Sequence, residues 1–149
     1  MSIWWSLHLR REAASVPLAR RLLLGAMDTA GVDPDISFDL SVALTEACAN
    51  AVEHGGYGPA DSGGYRVTAY LDGEKCRIEV ADSGPGFPRR RVVRPSARPP
   101  SLTAESGRGL GLIEQLADHV DFTGGPGHGA VVSFDKTLKW REDALLGAV

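Results

Sequence analysis

Alternating apolar and polar residues predict the strands of this chain. In Cys76–Asp82, apolar residues alternate with Arg77 and Glu79, as expected of a strand with one buried face. A second such segment, Tyr65–Leu71, is joined to it through Asp72–Gly73, a pair that favours a hairpin turn. Similar patterning predicts three further strands, at Ile3–Leu9, Val120–Thr123 and Ala130–Lys136.

Apolar residues at helical spacing predict a first helix after the N-terminal strand. Ser15 is a residue type that caps helices, and the early Pro17 is tolerated in a first turn. The helix would end before a loop at Gly31–Asp35. Its predicted apolar face consists of Leu18, Leu22, Leu23, Ala26 and Met27.

Two more helices are predicted further along the chain. The second would cover about Phe38–His54. Ser37 or Asp35 would cap its start, and Gly55–Gly56 would end it. A third helix is predicted at Gly109–Ala117, with its apolar residues on one face.

The second helix carries a polar stripe, which is the most informative pattern in the sequence. Glu46, Asn50 and His54 follow one another at intervals of four residues. Because such positions drift by only about 40° per step around a helix, the three side chains share one face. A carboxylate and a carboxamide one turn apart suit a hard cation such as Mg²⁺. Taken alone, the stripe fits a solvated helix face better. The neighbours that could be buried are Val42, Ala43, Leu44, Ala47, Ala51 and Val52.

Composition and charge narrow the class of protein. The 149 residues fit a single domain, residues 1–149, and 43% apolar with 23% charged residues is typical of a soluble globular protein. A net charge of −3 gives no reason to expect nucleic-acid binding. We expect neither a signal peptide nor a membrane span. Cys48 and Cys76 lack metal-site spacing and are predicted to be buried thiols of a cytoplasmic protein.

A glycine motif follows the predicted strand that ends at Asp82. The segment reads Asp82–Ser–Gly–Pro–Gly86. A carboxylate in this position can accept a hydrogen bond from an exocyclic amine, and Gly84 and Gly86 allow the backbone to approach a flat ring. The alternative is a plain glycine–proline turn after a strand.

A second glycine motif, Gly107–Arg–Gly–Leu–Gly111, opens the third predicted helix. Free backbone N–H groups and the helix dipole favour an anion at such an end. The alternative is an ordinary loop end. A dinucleotide fingerprint is excluded because Leu112 stands where its last glycine would be, and the P-loop pattern is absent from the chain.

The long segment between the two glycine motifs, about residues 84–106, is rich in arginine and proline. A segment of this length inside a compact domain is usually functional or disordered. Its arginines could steer phosphate, bind an acidic protein partner or simply be solvated. They are Arg89, Arg90, Arg91, Arg94 and Arg98.

Taken together, the helix stripe and the two glycine motifs resemble the ATP-binding boxes of the histidine-kinase, Hsp90, gyrase and MutL superfamily. The resemblance covers roughly residues 8–138, with residues 84–106 in the place of a lid. It implies a Bergerat-type α/β (α+β) fold. This is a two-layer sandwich of a mixed, largely antiparallel sheet with helices on one face.

Within that superfamily the chain is most similar to the free-standing anti-sigma-factor serine kinases. Thr45–Ala51 resembles their first box, Gly109–Ile113 resembles the end of their last, and the sequence contains no phosphoacceptor helix upstream. The resemblance implies an ATP- and Mg²⁺-dependent serine/threonine protein kinase. It would phosphorylate a STAS-domain anti-sigma antagonist, control a sigma factor by partner switching, form a homodimer and contact neither nucleic acid nor membrane.

The resemblance also assigns roles to residues. Glu46 would be the catalytic general base, Asn50 would coordinate Mg²⁺, and Asp82 would bind the adenine amino group. The glycines would expose backbone to the base and the phosphates, and the position of Arg108 suggests that it neutralises phosphate charge. The predicted cofactor-binding set is Asn50, Asp82, Gly84, Gly86, Gly107, Arg108, Gly109, Leu110 and Gly111.

Two other interpretations remain open from the sequence. The same fold could serve as a nucleotide-sensitive protein-binding switch without kinase activity, although the presence of Glu46 and Asn50 favours the enzyme. The chain could also be a detached sensor histidine-kinase core. His54 is a poor phosphoacceptor for such a protein, because it would lie at the nucleotide site itself.

Overall fold

A computed structural model describes residues 2–55, 63–83, 110–124, 129–142 and 144. Five strands and three helices are found in this part of the chain, and all the predicted elements that fall within it are present. In chain order they are β1 (Ile3–Arg10), α1 (Ser15–Ala30), α2 (Pro34–His54), β2 (Gly64–Leu71), β3 (Lys75–Asp82), α3 (Leu110–Leu116), β4 (His119–Thr123) and β5 (Val131–Thr137).

The strands form one sheet in the order β1-β2-β3-β5-β4, and each neighbouring pair is antiparallel. This confirms the predicted two-layer arrangement with a largely antiparallel sheet. Among the strands that the structure describes, the parallel pairing allowed by a mixed sheet is not found. β1 and β4 are the two edges, and β3 lies in the centre.

The helices cover one face of the sheet. Burial alternates along β2 and β3, because successive side chains point to opposite faces of a strand. α2 packs against β3 and β5, and α1 and α3 pack against α2. The helix with the polar stripe therefore lies over the middle of the sheet. The core-facing residues of β2 and β3 are Tyr65, Val67, Ala69, Leu71, Cys76, Ile78 and Val80.

Two predictions for α1 are wrong. Ser15 is the first helical residue and not the cap, because its hydroxyl donates to the Glu12 carbonyl oxygen at 2.7 Å instead of accepting from a helix N–H. Leu18 and Leu22 are 51% and 42% exposed. They lie beside the face of α1 that is buried in the core. That buried face consists of Ser15, Ala19, Leu23, Met27 and Ala30.

The start of α2 also differs from the prediction. The helix begins at Pro34 and not at Phe38, and its cap is Asp33 in place of Ser37 or Asp35. The Asp33 carboxylate accepts the Asp35 backbone N–H at 2.8 Å. Proline at the first helical position is favoured because its missing N–H would have no partner there. The predicted end at His54, followed by Gly55, is confirmed.

Both cysteines are buried free thiols, as the sequence predicts. Burial raises the pKa of Cys48 and of Cys76 to about 12. Each thiol is therefore protonated and unreactive at neutral pH. Among the described helices, none is both long and apolar enough to cross a membrane.

Candidate functional site

The polar stripe of α2 is not a solvated helix face. Asn50 is only 3% exposed, although it lies in the last turns of the helix, and Glu46 one turn earlier is half-buried. His54 ends the helix, with its ring nitrogen 3.7 Å from the Glu53 carboxylate. A buried carboxamide requires partners for its polar atoms, and Asn50 is not without one in the structure.

The end of α2 lies directly against Asp82, the acidic residue of the first glycine motif. A methyl group at position 55 would lie 2.9 Å from Asp82 Cβ and would also meet the Ala51 carbonyl oxygen. Only glycine therefore fits between the helix end and the carboxylate. This contact brings the stripe helix and the first glycine motif together, although they lie far apart in the sequence.

Asp82 is also held from the other side, by the start of β5. Its backbone N–H donates to the Ala130 carbonyl oxygen at 2.9 Å, and its carboxylate accepts the Ala130 N–H at 3.2 Å. Gly129, with φ of 77°, is in the left-handed region, and a side chain there would meet the Asp82 carbonyl oxygen at 2.6 Å. The position of the carboxylate is therefore fixed by α2 and by β5.

The third motif is described only from Leu110 onwards. Leu110 is buried in the first turn of α3, which packs against α2, and an added Cβ at Gly111 would meet open space. α3, which contains the end of the third motif, therefore lies beside the stripe helix. Five predicted site residues lie outside the described residues, together with the segment 84–106. They are Gly84, Gly86, Gly107, Arg108 and Gly109.

Sequence reasoning missed one residue at this site, Arg11. It lies in the connection between β1 and α1, and its guanidinium donates to the last turn of α2. The Nη2–O distance to Val52 is 2.9 Å, and the Nε–O distance to Ala51 is 3.4 Å. These contacts span 41 and 40 residues of sequence, so neither periodicity nor a motif could have indicated them.

A buried polar chain runs beneath the site. The Tyr65 hydroxyl lies 2.6 Å from Ser15 Oγ, and the Cys48 thiol of α2 is near enough to the same tyrosine for each group to influence the pKa of the other. Burial raises the pKa of Tyr65 as well as that of Cys48. Both groups are neutral at pH 7. These polar side chains therefore link α2, β2 and the start of α1 without supplying a nucleophile.

The donor set fits a magnesium ion only in company with other ligands. The described residues contain no group of three or more histidine, cysteine, aspartate or glutamate side chains that could hold a metal alone. Mg²⁺ in phosphate-transfer sites keeps several waters and is shared between one or two protein oxygens and the phosphates. A single buried carboxamide, Asn50, fits a magnesium site that is shared with phosphates and water.

A family model described as the histidine kinase-like ATPase domain matches residues 9–136. The chain belongs to this family. It is 31% identical over 120 residues to the serine-protein kinase RsbW of Listeria innocua, covering 77% of this chain and 76% of that protein. It is 33% identical over 116 residues to RsbW of Bacillus velezensis, covering 73% and 71%. The predicted likeness to the serine kinases of this superfamily is confirmed.

A solved structure agrees with the fold. The RsbU and RsbW domains of Rv1364c from Mycobacterium tuberculosis match with a TM-score of 0.67 and 23% identity. The match covers 95% of this chain and 34% of that larger chain. The chain thus spans about a third of that structure's length, and the likeness bears on the fold alone.

Proposed function

We propose that this protein is an ATP-dependent serine/threonine protein kinase that acts on a protein partner. The proposal is supported chiefly by the close approach of Gly55 to Asp82, which brings the end of α2, just beyond the buried Asn50, against the first glycine motif. The family is one of ATPase domains, and its curated relatives are named serine-protein kinases. Both findings support ATP as the nucleotide.

The described residues divide the chemistry between them. Asp82 would accept a hydrogen bond from the adenine amino group, and Asn50 would offer its oxygen to Mg²⁺ beside the phosphates. Glu46, one turn before Asn50, would accept the proton of a serine hydroxyl. Phosphoryl transfer depends mainly on positioning and on neutralising charge, so a small set of residues is sufficient. The proposed roles of the glycines and of Arg108 follow the family resemblance.

The proposed partner is a STAS-domain anti-sigma antagonist, and the proposed outcome is control of a sigma factor by partner switching. The names of the curated relatives support the kinase, and the partner follows from the resemblance to anti-sigma-factor kinases. A cytoplasmic setting is part of the proposal. The two free, buried cysteines suit a reducing compartment.

Transfer of label from γ-labelled ATP in the presence of Mg²⁺ tests this function. We expect label on a serine or threonine of a STAS-domain protein from the same genome. Glu46→Gln should lower the transfer rate about 10²–10⁴-fold, as expected for loss of a general base, while ATP still binds. Asn50→Ala should abolish the gain in ATP affinity that Mg²⁺ provides.

The second candidate is a switch that binds nucleotide and partner without transferring phosphate. It would be favoured if ATP binds with the expected Mg²⁺ dependence and no STAS-domain protein is labelled. Unchanged affinity of Asn50→Ala in calorimetry with Mg²⁺ would instead show that the assignment of the α2 site is wrong.

We also propose that the protein is a homodimer, as the resemblance implies. The support is the edge strand β1, which runs for eight residues beside an apolar groove of about 530 Å³. An exposed edge strand is a template for pairing with another strand. A second copy would supply both a strand and an apolar surface. The groove is lined by Ile3, Trp5, Leu18, Arg21, Leu22, Gly25, Ala26 and Thr29.

Sedimentation of two matched variants tests the dimer. Leu22→Glu places a charge in the groove and should give a monomer. Leu24→Glu, on the same helix but outside the groove lining, should leave the dimer intact. A monomeric wild-type protein, or a dimer that survives Leu22→Glu, would contradict this interface.

A further inference from the structure

We propose that Arg11 is a positioning residue, which holds the last turn of α2 so that Asn50 and Gly55 stay in place for nucleotide binding. The inference rests on the proposed function for its nucleotide readout. It gives a role in the site to the β1–α1 connection, which belongs to neither the helix stripe nor the glycine motifs.

The first argument concerns the hydrogen bonds at the end of α2. The last four carbonyl groups of a helix have no partner within the helix. The Gly55 N–H donates to the Ala51 carbonyl oxygen at 2.8 Å. Arg11 donates to the Ala51 and Val52 carbonyl oxygens from a different part of the chain. The side chain therefore does what a C-terminal capping motif does elsewhere.

The second argument concerns charge. A helix carries a partial negative charge at its C-terminus, so a cation there is stabilising. The guanidinium of Arg11 is half-buried, and its hydrogen bonds are charge-assisted. Both effects favour the ordered last turn over a frayed one.

The third argument concerns what this turn carries. Asn50 directly precedes the two carbonyl groups that Arg11 contacts, and Gly55 follows them. The Gly55 contact with Asp82 leaves no room even for a methyl group, so a small shift of the turn would disturb it. Fixing Ala51 and Val52 therefore fixes the spacing between Asn50 and Asp82.

The connection that presents Arg11 is itself anchored. Ser15 donates from its backbone N–H to the Glu12 carbonyl oxygen at 3.0 Å, and its hydroxyl contacts both Glu12 and Tyr65. Tyr65 is buried in β2. Arg11 consequently extends from a rigid support, as a positioning group must.

The test compares Arg11→Met, which affects the C-terminal end of α2, with Asp33→Ala at the N-terminal end of α2. Arg11→Met keeps an apolar stem but removes the charge and the donors, and Arg11→Lys restores the charge without the planar fork of donors. Asp33→Ala removes the N-terminal cap of α2. Arg10→Gln changes the exposed neighbour, whose guanidinium lies 3.9 Å from Glu12.

Two readouts are measured on each variant. Binding of a fluorescent ATP analogue with and without Mg²⁺ reports on the site, and amide hydrogen exchange of residues 51–55 reports on the helix end. Arg11→Met should weaken Mg²⁺-dependent binding about tenfold and speed exchange at residues 51–55, as expected for loss of charge-assisted hydrogen bonds. Arg11→Lys should recover part of both effects. Asp33→Ala and Arg10→Gln should change neither.

Equal loss of affinity in Arg11→Met and Asp33→Ala would show a general effect on stability and would overturn the proposal. Unchanged exchange at residues 51–55 in Arg11→Met would overturn it as well. If the wild-type protein binds no nucleotide, the proposed function fails instead. The exchange measurement then still decides whether Arg11 holds the helix end.

Discussion

At its N-terminal end, α2 is capped by a side chain of its own segment, whereas the side chains that hold its C-terminal end come from elsewhere in the chain. Among the described residues, the N-terminal end has a distant partner only through the backbone, because the Asp33 N–H donates to the Lys139 carbonyl oxygen at 2.8 Å. Asp33 and Pro34, which are adjacent, cap and start the helix. At the other end, Arg11 contacts the last turn from the β1–α1 connection, and Asp82 lies against Gly55 from β3.

The difference follows from what each end does. A cap needs only one side chain and one backbone N–H, so neighbouring residues can supply it. A ligand site needs groups that converge from several elements, and these come together only when the sheet and helices pack. We therefore expect changes at the N-terminal end to affect stability alone, and changes at the C-terminal end to affect stability and binding together.

The largest effect on stability is expected from Gly55→Ala. The added methyl group would overlap the Ala51 carbonyl oxygen and crowd Asp82, which should cost about 1–3 kcal/mol in the free energy of unfolding. Nucleotide affinity should fall with it. Urea denaturation and analogue binding measure the two effects.

Gly25→Ala is the matched control for Gly55→Ala. An added Cβ at Gly25, inside α1, meets no atom within 4 Å. Because Gly25 lines the groove proposed to hold a second copy, both alanine variants are compared in the Leu22→Glu background. Alanine at position 25 should there be neutral or stabilising by about 0.5–1 kcal/mol, because glycine is unfavourable in a helix interior. If Gly55→Ala is as harmless as Gly25→Ala, the close contact with Asp82 is wrong.

A smaller effect is expected from Asp33→Ala at the opposite end of α2. Removing a cap carboxylate typically costs about 1 kcal/mol. Thermal unfolding measures the loss, and nucleotide affinity should remain that of the wild type. A fall in affinity would mean that the two ends are coupled through the helix. The proposed difference between the two ends of α2 would then be wrong.

Tyr65→Phe should cost about 0.5–1 kcal/mol, because it removes one buried hydrogen bond. Ser15 would keep its bond to the Glu12 carbonyl oxygen, which limits the loss. Chemical denaturation measures the effect, with Tyr70→Phe on the exposed face as the control. A loss no greater than that of the control would show that the buried hydrogen bond between Tyr65 and Ser15 contributes nothing to stability.

The smallest effect at neutral pH concerns the Cys48 thiol in the middle of α2. Its pKa of about 12 in the folded protein lies above the value of about 8.5 in an unfolded chain. Stability from this group is complete below about pH 8.5 and falls by about 1.4 kcal/mol per pH unit between there and about pH 12, because only the unfolded chain loses the proton in that range. Cys48→Ala should make the alkaline fall shallower. An identical pH profile would contradict the raised pKa.

The sequence was sufficient to predict the helices and strands and to identify the motifs in their order along the chain. Alternation placed β2 and β3, and the glycine after His54 placed the end of α2, because these signals are local. The start of α2 was misplaced because Ser37 and Asp35 compete as caps with Asp33, and only the side-chain bond to Asp35 distinguishes them.

The rest depends on tertiary contacts. The exposure of Leu18 and Leu22 reflects which side of α1 meets the core, and helical spacing alone permits several choices. The approach of Gly55 to Asp82 and of Arg11 to Val52 joins segments with no common pattern. The proposed roles of Glu46 and Asn50 remain predictions to be tested by the labelling and binding experiments.

Trp4 and Trp5 are adjacent in β1 but point to opposite faces of the sheet. Trp4 is 66% exposed on the open face, opposite Tyr70, whereas Trp5 lines the groove beside α1. Indole emission depends on contact with water, so the two residues form a pair of optical reporters on one strand. Trp4→Phe and Trp5→Phe, each combined with Trp140→Phe so that one indole remains, would therefore distinguish a molecule that covers the open face from one that enters the groove, without any added label.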